Sequence, residues 1–290
     1  MKSKLNKFSF GVGDRFAHQA KAQLQAILKA KESGCNITPV WNKSFREHEI
    51  IGSESAATRL AVDKAVSDLN WVDPYFLDAD HINLKNVDFF IHTCDFFTID
   101  VADYIGHSID EENQKKFYEK NKKFIGDLKL PGLTSIQVVP ELIKSVAKKY
   151  LHAVHEAKRI YDHIRSKLGN RSFVVEISMD ETDKPQTPDE LFFILAAISD
   201  LDIPVNTIAP KFSGSFNKGV EYIGDISLFK KEFEQDVAVL ELAKSEFGLT
   251  SDLKLSIHSG SDKFSIYPVM NQVLTKFGTG LHLKTAGTSW

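Results

Sequence analysis

DLKLSIHSGSDKFSIYPVMNQVLTKFGTGLHLKTAG, residues 252–287, holds two alternating strands on either side of a helix-period stretch. In the first strand Leu255 and Ile257 share one side, and Ser256 and His258 share the other. In the second, Leu281 and Leu283 oppose His282 and Lys284. Successive strand residues point to opposite faces, so each strand has an apolar side for helices and a polar side for something else. Between the strands, Ser-Gly-Ser-Asp-Lys (259–263) breaks the chain just where the first strand runs out.

The same alternation recurs upstream. Strands are predicted at 7–14, 36–41, 74–80, 96–102, 173–180 and 205–212, followed by 252–259 and 280–287. Helix-period stretches fall at 16–33, 54–69, 139–168 and 228–247, with shorter ones from Leu84 and from about residue 264. Thr187-Pro188-Asp189-Glu190 reads as a capping box with proline in the first turn, and so opens another helix. Eight strands alternating with helices predict an α/β fold, a parallel (β/α)₈ TIM-type barrel spanning 1–290 as one domain. A doubly wound open sheet is the second choice. Its glycine signature is weak, because Gly11-Val12-Gly13-Asp14-Arg15-Phe16 places Phe where a dinucleotide fingerprint needs a small residue. Residues 103–138 are polar and charged and read as a partly helical insertion near the active-site face. The chain stops at Trp290, directly after the eighth strand, so the barrel is expected to lack its closing C-terminal helix.

Composition narrows the class. A net charge of −3 offers no general attraction for nucleic acid or acidic membranes. No apolar run approaches the ~20 residues that cross a bilayer. MKSKLNKFSF is basic but is followed by no apolar stretch, which is not the pattern of a secretory signal. Cys35 and Cys94 have neither metal nor redox spacing, and the default location is the cytoplasm.

Barrel enzymes work at the C-terminal ends of their strands. Here those ends offer Asp14 and Arg15, Asn42, Asp78, Asp80 and His81, Asp100 and Asp103, and Asp180 and Glu181. They continue with Lys211, then His258, Asp262 and Lys263, then His282 and Lys284. Two inward imidazoles on adjacent strands, expected near one height, suit one divalent metal. His81 is a third candidate, although it lies on the opposite side of its strand from Asp78 and Asp80 and needs a bend at the strand tip. Lys284 inside a strand is a buried cation that requires a partner.

"FSFGVGDRF" (8–16), "DADHI" (78–82), "FFTIDVAD" (96–103), "MDETDKPQTP" (179–188), "IHSGSDKFSIYP" (257–268) and "LHLKTAGTS" (281–289) resemble the tagaturonate epimerase family in segment and in order. Members of that family extend both before and beyond the region this chain spans. The resemblance implies interconversion of D-tagaturonate and D-fructuronate in galacturonate catabolism, with a divalent cation of the Zn, Mn or Ni type. It implies that His81, His258 and His282 hold the metal, that Asp80 accepts a proton and that Glu181 donates one. Arg15, Lys211, Lys263 and Lys284 are candidates for the uronate carboxylate, with Asp262 counted among the substrate-binding groups. The expected partner is a small sugar acid, with no nucleic acid and no membrane, and self-association is left open. A metal-dependent ketose aldolase or isomerase, or a non-catalytic sugar-acid binder, are the alternatives.

Overall fold

The protein is described by a computed structural model over residues 4–287. Eight parallel strands close into a barrel: β1 (Phe8–Gly13), β2 (Ile37–Ser44), β3 (Phe76–Ile82), β4 (Phe96–Asp100), β7 (Val174–Ser178), β8 (Thr207–Ala209), β9 (Lys254–Gly260) and β10 (Leu281–Thr285). The ring closes where Phe8 pairs with Leu281 and Gly11 with Lys284. The helices are α1 (Ala20–Glu32), α2 (Phe45–Ile51), α3 (Ser55–Asp68), α4 (Glu111–Asn121), α5 (Pro140–Leu168), α6 (Pro188–Asp200), α7 (Ile226–Phe247) and α8 (Tyr267–Phe277). The predicted box at Thr187 and Glu190 caps α6. Among the described residues no helix follows β10, and none is long and apolar enough to cross a membrane.

Strand alternation sorts the side chains as the sequence requires. Outward residues such as Trp41, Leu77, Phe97, Ile177, Leu255 and Ile257 join the main core beneath the helices. Inward residues form a second, smaller cluster, in which Val40, Phe76, Phe96, Val174 and Leu5 plug the N-terminal end of the barrel. Above that plug the interior turns polar, with Asp78, Thr98, Glu176, Thr207 and Lys284 all buried. An apolar floor under a polar middle leaves one open end for chemistry, the C-terminal rim.

Two features depart from the sequence reading. α2 was not expected. It forms because Ser44 caps it reciprocally with Glu47, a capping box at the end of β2. Residues 103–138 contain α4 and also a hairpin of β5 (Gly126–Leu128) and β6 (Ile136–Val138). This segment clads the outside of the barrel instead of standing over the rim. Phe124 packs edge-on against Phe192 of α6, with ring centroids 5.0 Å apart, and against Phe247 of α7. The Lys276 ammonium of α8 donates to Gly132 O at 3.2 Å. Its aromatic residues are better solvated by these helices than by an open, charged cavity.

Candidate active site

A cavity of about 460 Å³ opens at the rim, walled by residues at or beyond the C-terminal ends of β2, β3, β4, β7, β8, β9 and β10. His258 enters from β9 on the inward side that alternation assigns it. His81 reaches the same place by a bend. The β3–β4 register slips between Ala79 and Ile82, and His81 takes a left-handed backbone with φ of 51°. A side chain in that region costs about 1–2 kcal/mol. The bend turns inward a residue that simple alternation would face outward. The two rings stand edge to face, with centroids 5.2 Å apart.

Asp180, just beyond β7, completes the group. One ligand atom each from His81, His258 and Asp180 lies within 4.8 Å of the others, and His81, Asp100 and Glu181 form a second such group. His258 Nε2 is 2.8 Å from Glu176 Oε1, so the donated proton fixes the ring. Its Nδ1 is then left facing Asp180 Oδ2 at 3.0 Å, close but not aligned for a hydrogen bond. His81 is held similarly, with Nδ1 3.3 Å from Asp100 Oδ2. A ring nitrogen tied to a carboxylate, with the other nitrogen free, is the arrangement of a metal-ligating histidine.

Charge points the same way. Burial disfavours a charged ring, yet Asp180 and Glu176 outweigh it and push His258 up to about 10. Asp80 and Asp100 likewise push His81 up to about 9. Burial opposes the charge on Asp180, but His258 and His81 hold its carboxyl below the usual range. Carboxylates that force protons onto two imidazoles define a place where positive charge belongs. A divalent cation satisfies the same field while releasing those protons. The donor set of two imidazoles and a carboxylate therefore fits such an ion.

Beneath lies the Lys284 network. Its ammonium is 2.7 Å from Asp78 Oδ2, 2.7 Å from Asp80 Oδ1 and 3.3 Å from Glu176 Oε1, and it bonds Thr98 Oγ1 at 2.6 Å. The Asp80 contact is a close ion pair without hydrogen-bond alignment, which leaves Oδ1 otherwise unpartnered. Burial would raise Asp80, but Lys284 and His81 hold it below the ordinary carboxylate range. Burial pushes its neighbour Asp78 up to about 7. Asp80 is therefore the anion of the pair that opens onto the cavity.

His282 is not with the other two imidazoles. It faces inward as expected but pairs in register with Ser256, whereas Lys284 pairs with His258. It therefore sits one layer lower, with Nδ1 2.9 Å from Ser9 Oγ and its ring 5.3 Å from Phe96. Burial pulls it down to about 3 and keeps it neutral. Asp180, not His282, shares a group with His81 and His258.

The remaining expected residues divide. Glu181 lines the cavity and is exposed. Lys284 lines it from below, its charge already committed. Arg15 is 3.4 Å from Glu47 and donates to Gly287 O. Lys263 is fully buried and donates to Asn217 O and Ser261 O. Asp262 accepts from Tyr267 OH at 3.0 Å. Lys211 opens onto a side cavity of about 240 Å³, with its ammonium 3.4 Å from Asp180 O. Asp180 had been visible in the sequence as a strand end. Alternation along Glu176, Ser178 and Asp180 marks it as inward.

A profile of the tagaturonate epimerase family matches residues 1–290. The tagaturonate/fructuronate epimerase of Thermotoga maritima is 27% identical, over 97% of this chain and 58% of that protein. The glycerol-bound crystal structure of fructuronate-tagaturonate epimerase UxaE from Cohnella laeviribosi superposes with a TM-score of 0.77 at 26% identity, covering 99% of this chain and 58% of that one. The YdjI aldolase of Escherichia coli K12 shares the fold alone, with a TM-score of 0.51 at 10% identity over 97% of this chain and 76% of that one. The chain thus spans less than two thirds of the length of the epimerases it matches. The chain belongs to the tagaturonate epimerase family.

Proposed function

We propose that this chain carries the site of a metal-dependent C4 epimerase that interconverts D-tagaturonate and D-fructuronate. The observation that supports it best is the meeting of His81, His258 and Asp180 with Asp80 and Glu181 around one cavity. The two sugars differ only at C4. Their ketone is at C2 and their carboxylate at C6, so the C4 hydrogen is α to neither, and simple enolisation cannot invert that carbon. A retro-aldol step can. Loss of the C4 hydroxyl proton lets the C3–C4 bond break, its electron pair moves into an enediolate over C2 and C3, and C4 becomes an aldehyde. Rotation of the aldehyde, re-addition of C3 to its other face and return of the proton give the epimer.

His81, His258 and Asp180 are the residues to hold a divalent cation. When bound, such an ion supplies Lewis-acid polarisation of the ketone end of the sugar. Asp80, kept anionic by Lys284, takes the hydroxyl proton at its carboxylate. Glu181, in the turn after β7, returns a proton to the new alkoxide. The apolar plug and the Lys284 network close the floor, so solvent reaches the reacting carbon only from the open side. A hydride route through a C4 ketone is the rival. Cys35 and Cys94 are both free thiols, in keeping with a reducing cytoplasm where hexuronate catabolism proceeds.

The test is NMR of D-tagaturonate incubated with the chain and a series of divalent ions. Fructuronate appearing only with metal supports the reading. Binding of the sugar acid without conversion supports a non-catalytic binder instead. Deuterium at C4 separates the routes: retro-aldol leaves the C4–H bond intact and shows no primary isotope effect, whereas hydride transfer shows one.

A further inference from the structure

The cavity has a charge problem for an acidic substrate. Glu47, Asp80, Asp100, Asp180 and Glu181 all line it. The cations expected to offset them are engaged or placed elsewhere, Lys284 with three carboxylates, Lys263 with backbone carbonyls, Arg15 with Glu47 and Gly287 O, and Lys211 on the side cavity with its ammonium 3.4 Å from Asp180 O. Two other cations line the same cavity, Arg46 and Lys218. Both are exposed, and neither side chain has a hydrogen-bond or ion-pair partner among the described residues.

Their placement is fixed by the fold. Arg46 follows β2 in the first turn of α2, held by the Ser44–Glu47 capping box. Lys218 lies on the β8–α7 loop, and β8 stands four strands round the ring from β2, so the two face each other across the mouth. The loop is pinned. Lys263 Nζ donates to Asn217 O at 3.1 Å, Gly219 N donates to Ser261 Oγ at 3.0 Å, and Ser215 bridges Ile223. Buried Lys263 thus serves the site from behind, by presenting the loop that carries Lys218.

We infer that Arg46 is the residue that binds the substrate's carboxylate, with Lys218 supplying attraction from the opposite wall; this rests on the epimerase reading above. A guanidinium matches both oxygens of a carboxylate with two parallel N–H donors, which an ammonium cannot do. Arg46 has such a fork free at the cavity edge, paired with neither Asp80 nor Glu181. It selects an acid sugar over a neutral one without taking part in bond breaking.

The experiment measures kcat and KM for D-tagaturonate with the wild-type metal-loaded protein and with Arg46→Met, Arg46→Lys and Lys218→Met, together with the Kd for neutral D-tagatose by calorimetry. Arg46→Met raises KM for the acid at least tenfold, keeps kcat within about threefold and leaves the tagatose Kd unchanged, the pattern of lost uniform binding. Arg46→Lys recovers part of the loss, and Lys218→Met raises KM less and steepens no kcat change. An active wild-type with unchanged KM in Arg46→Met overturns the inference alone, as does a loss confined to kcat or a parallel loss of tagatose binding. A wild-type chain that neither binds nor converts tagaturonate overturns the epimerase reading, and the inference with it.

Discussion

Lys284 shows how one side chain sets the character of the whole interior. It is 3% exposed and sits among Asp78, Asp80 and Glu176. Removing one partner of a buried ion cluster leaves uncompensated charge and costs about 3–5 kcal/mol. Lys284→Met is therefore expected to lower the unfolding free energy by that order in urea titrations at pH 7.5. It is also expected to slow turnover, because Asp80 loses the cation that keeps it ionised. Asp80→Asn removes the proposed proton acceptor and should cut kcat by about 10²–10⁴ with metal affinity retained. NMR turnover together with metal analysis checks both halves of that statement. At this scale the sequence was partly legible. Alternation put His258, His282 and Lys284 inside, and the structure agrees. Alternation reports the side of a strand but not its height in the barrel, and the stagger between β9 and β10 drops His282 below the rim. The cations Arg46 and Lys218 are not legible in the sequence, because Arg46 sits in the first turn of the short α2 and Lys218 on the β8–α7 loop, where no periodic pattern singles them out.

At the scale of elements, α2 and its surroundings carry a pH dependence. His48 is buried on α2, with Nδ1 2.9 Å from Ser53 Oγ, which also accepts from Lys43 Nζ. Phe89 and Phe90 pack on its ring, and burial with Lys43 nearby pulls His48 from 6.5 down to about 4. The unfolded chain takes up a proton below pH 6.5 that the folded chain refuses until about pH 4. Stability contributed by neutral His48 is thus full above pH 6.5 and falls as the pH drops through that window. The loss is roughly 2–3 kcal/mol. His48→Gln should flatten this part of the stability–pH curve, as read from urea midpoints at pH 7.5 and pH 4.5. α2 escaped notice because a seven-residue helix carries too little periodicity, though Ser44 and Glu47 at cap spacing were there to be read. The bend at His81 was required by parity but not visible in composition, because it depends on how β3 slips against β4.

For the whole molecule, closure of the ring is the demanding step. A Cβ added at Gly13 would lie 2.0 Å from Gly287 N, and one at Gly280 would lie 1.9 Å from Lys7 O. Both contacts are with backbone at the β1–β10 seam, which cannot yield as a side chain does. Overpacking ordinarily costs about 1–3 kcal/mol, and Gly280→Ala is expected at or above the top of that range in thermal or urea unfolding. The eight strands were legible because each carries its own two-residue alternation. The outer cladding by residues 103–138 was not, because that segment is polar on average and shows its few anchoring residues, such as Phe124, only once α6 and α7 are in place.

The central claim is that His81, His258 and Asp180 hold one divalent cation at the rim. Calorimetric titration of the metal-stripped protein with Mn²⁺ or Zn²⁺ tests it most directly. The account predicts one site in the wild-type protein, at least tenfold weaker binding in His258→Ala and in Asp180→Asn, and near-wild-type affinity in a folded His282→Gln. Affinity lost in His282→Gln and retained in His258→Ala and Asp180→Asn would contradict it.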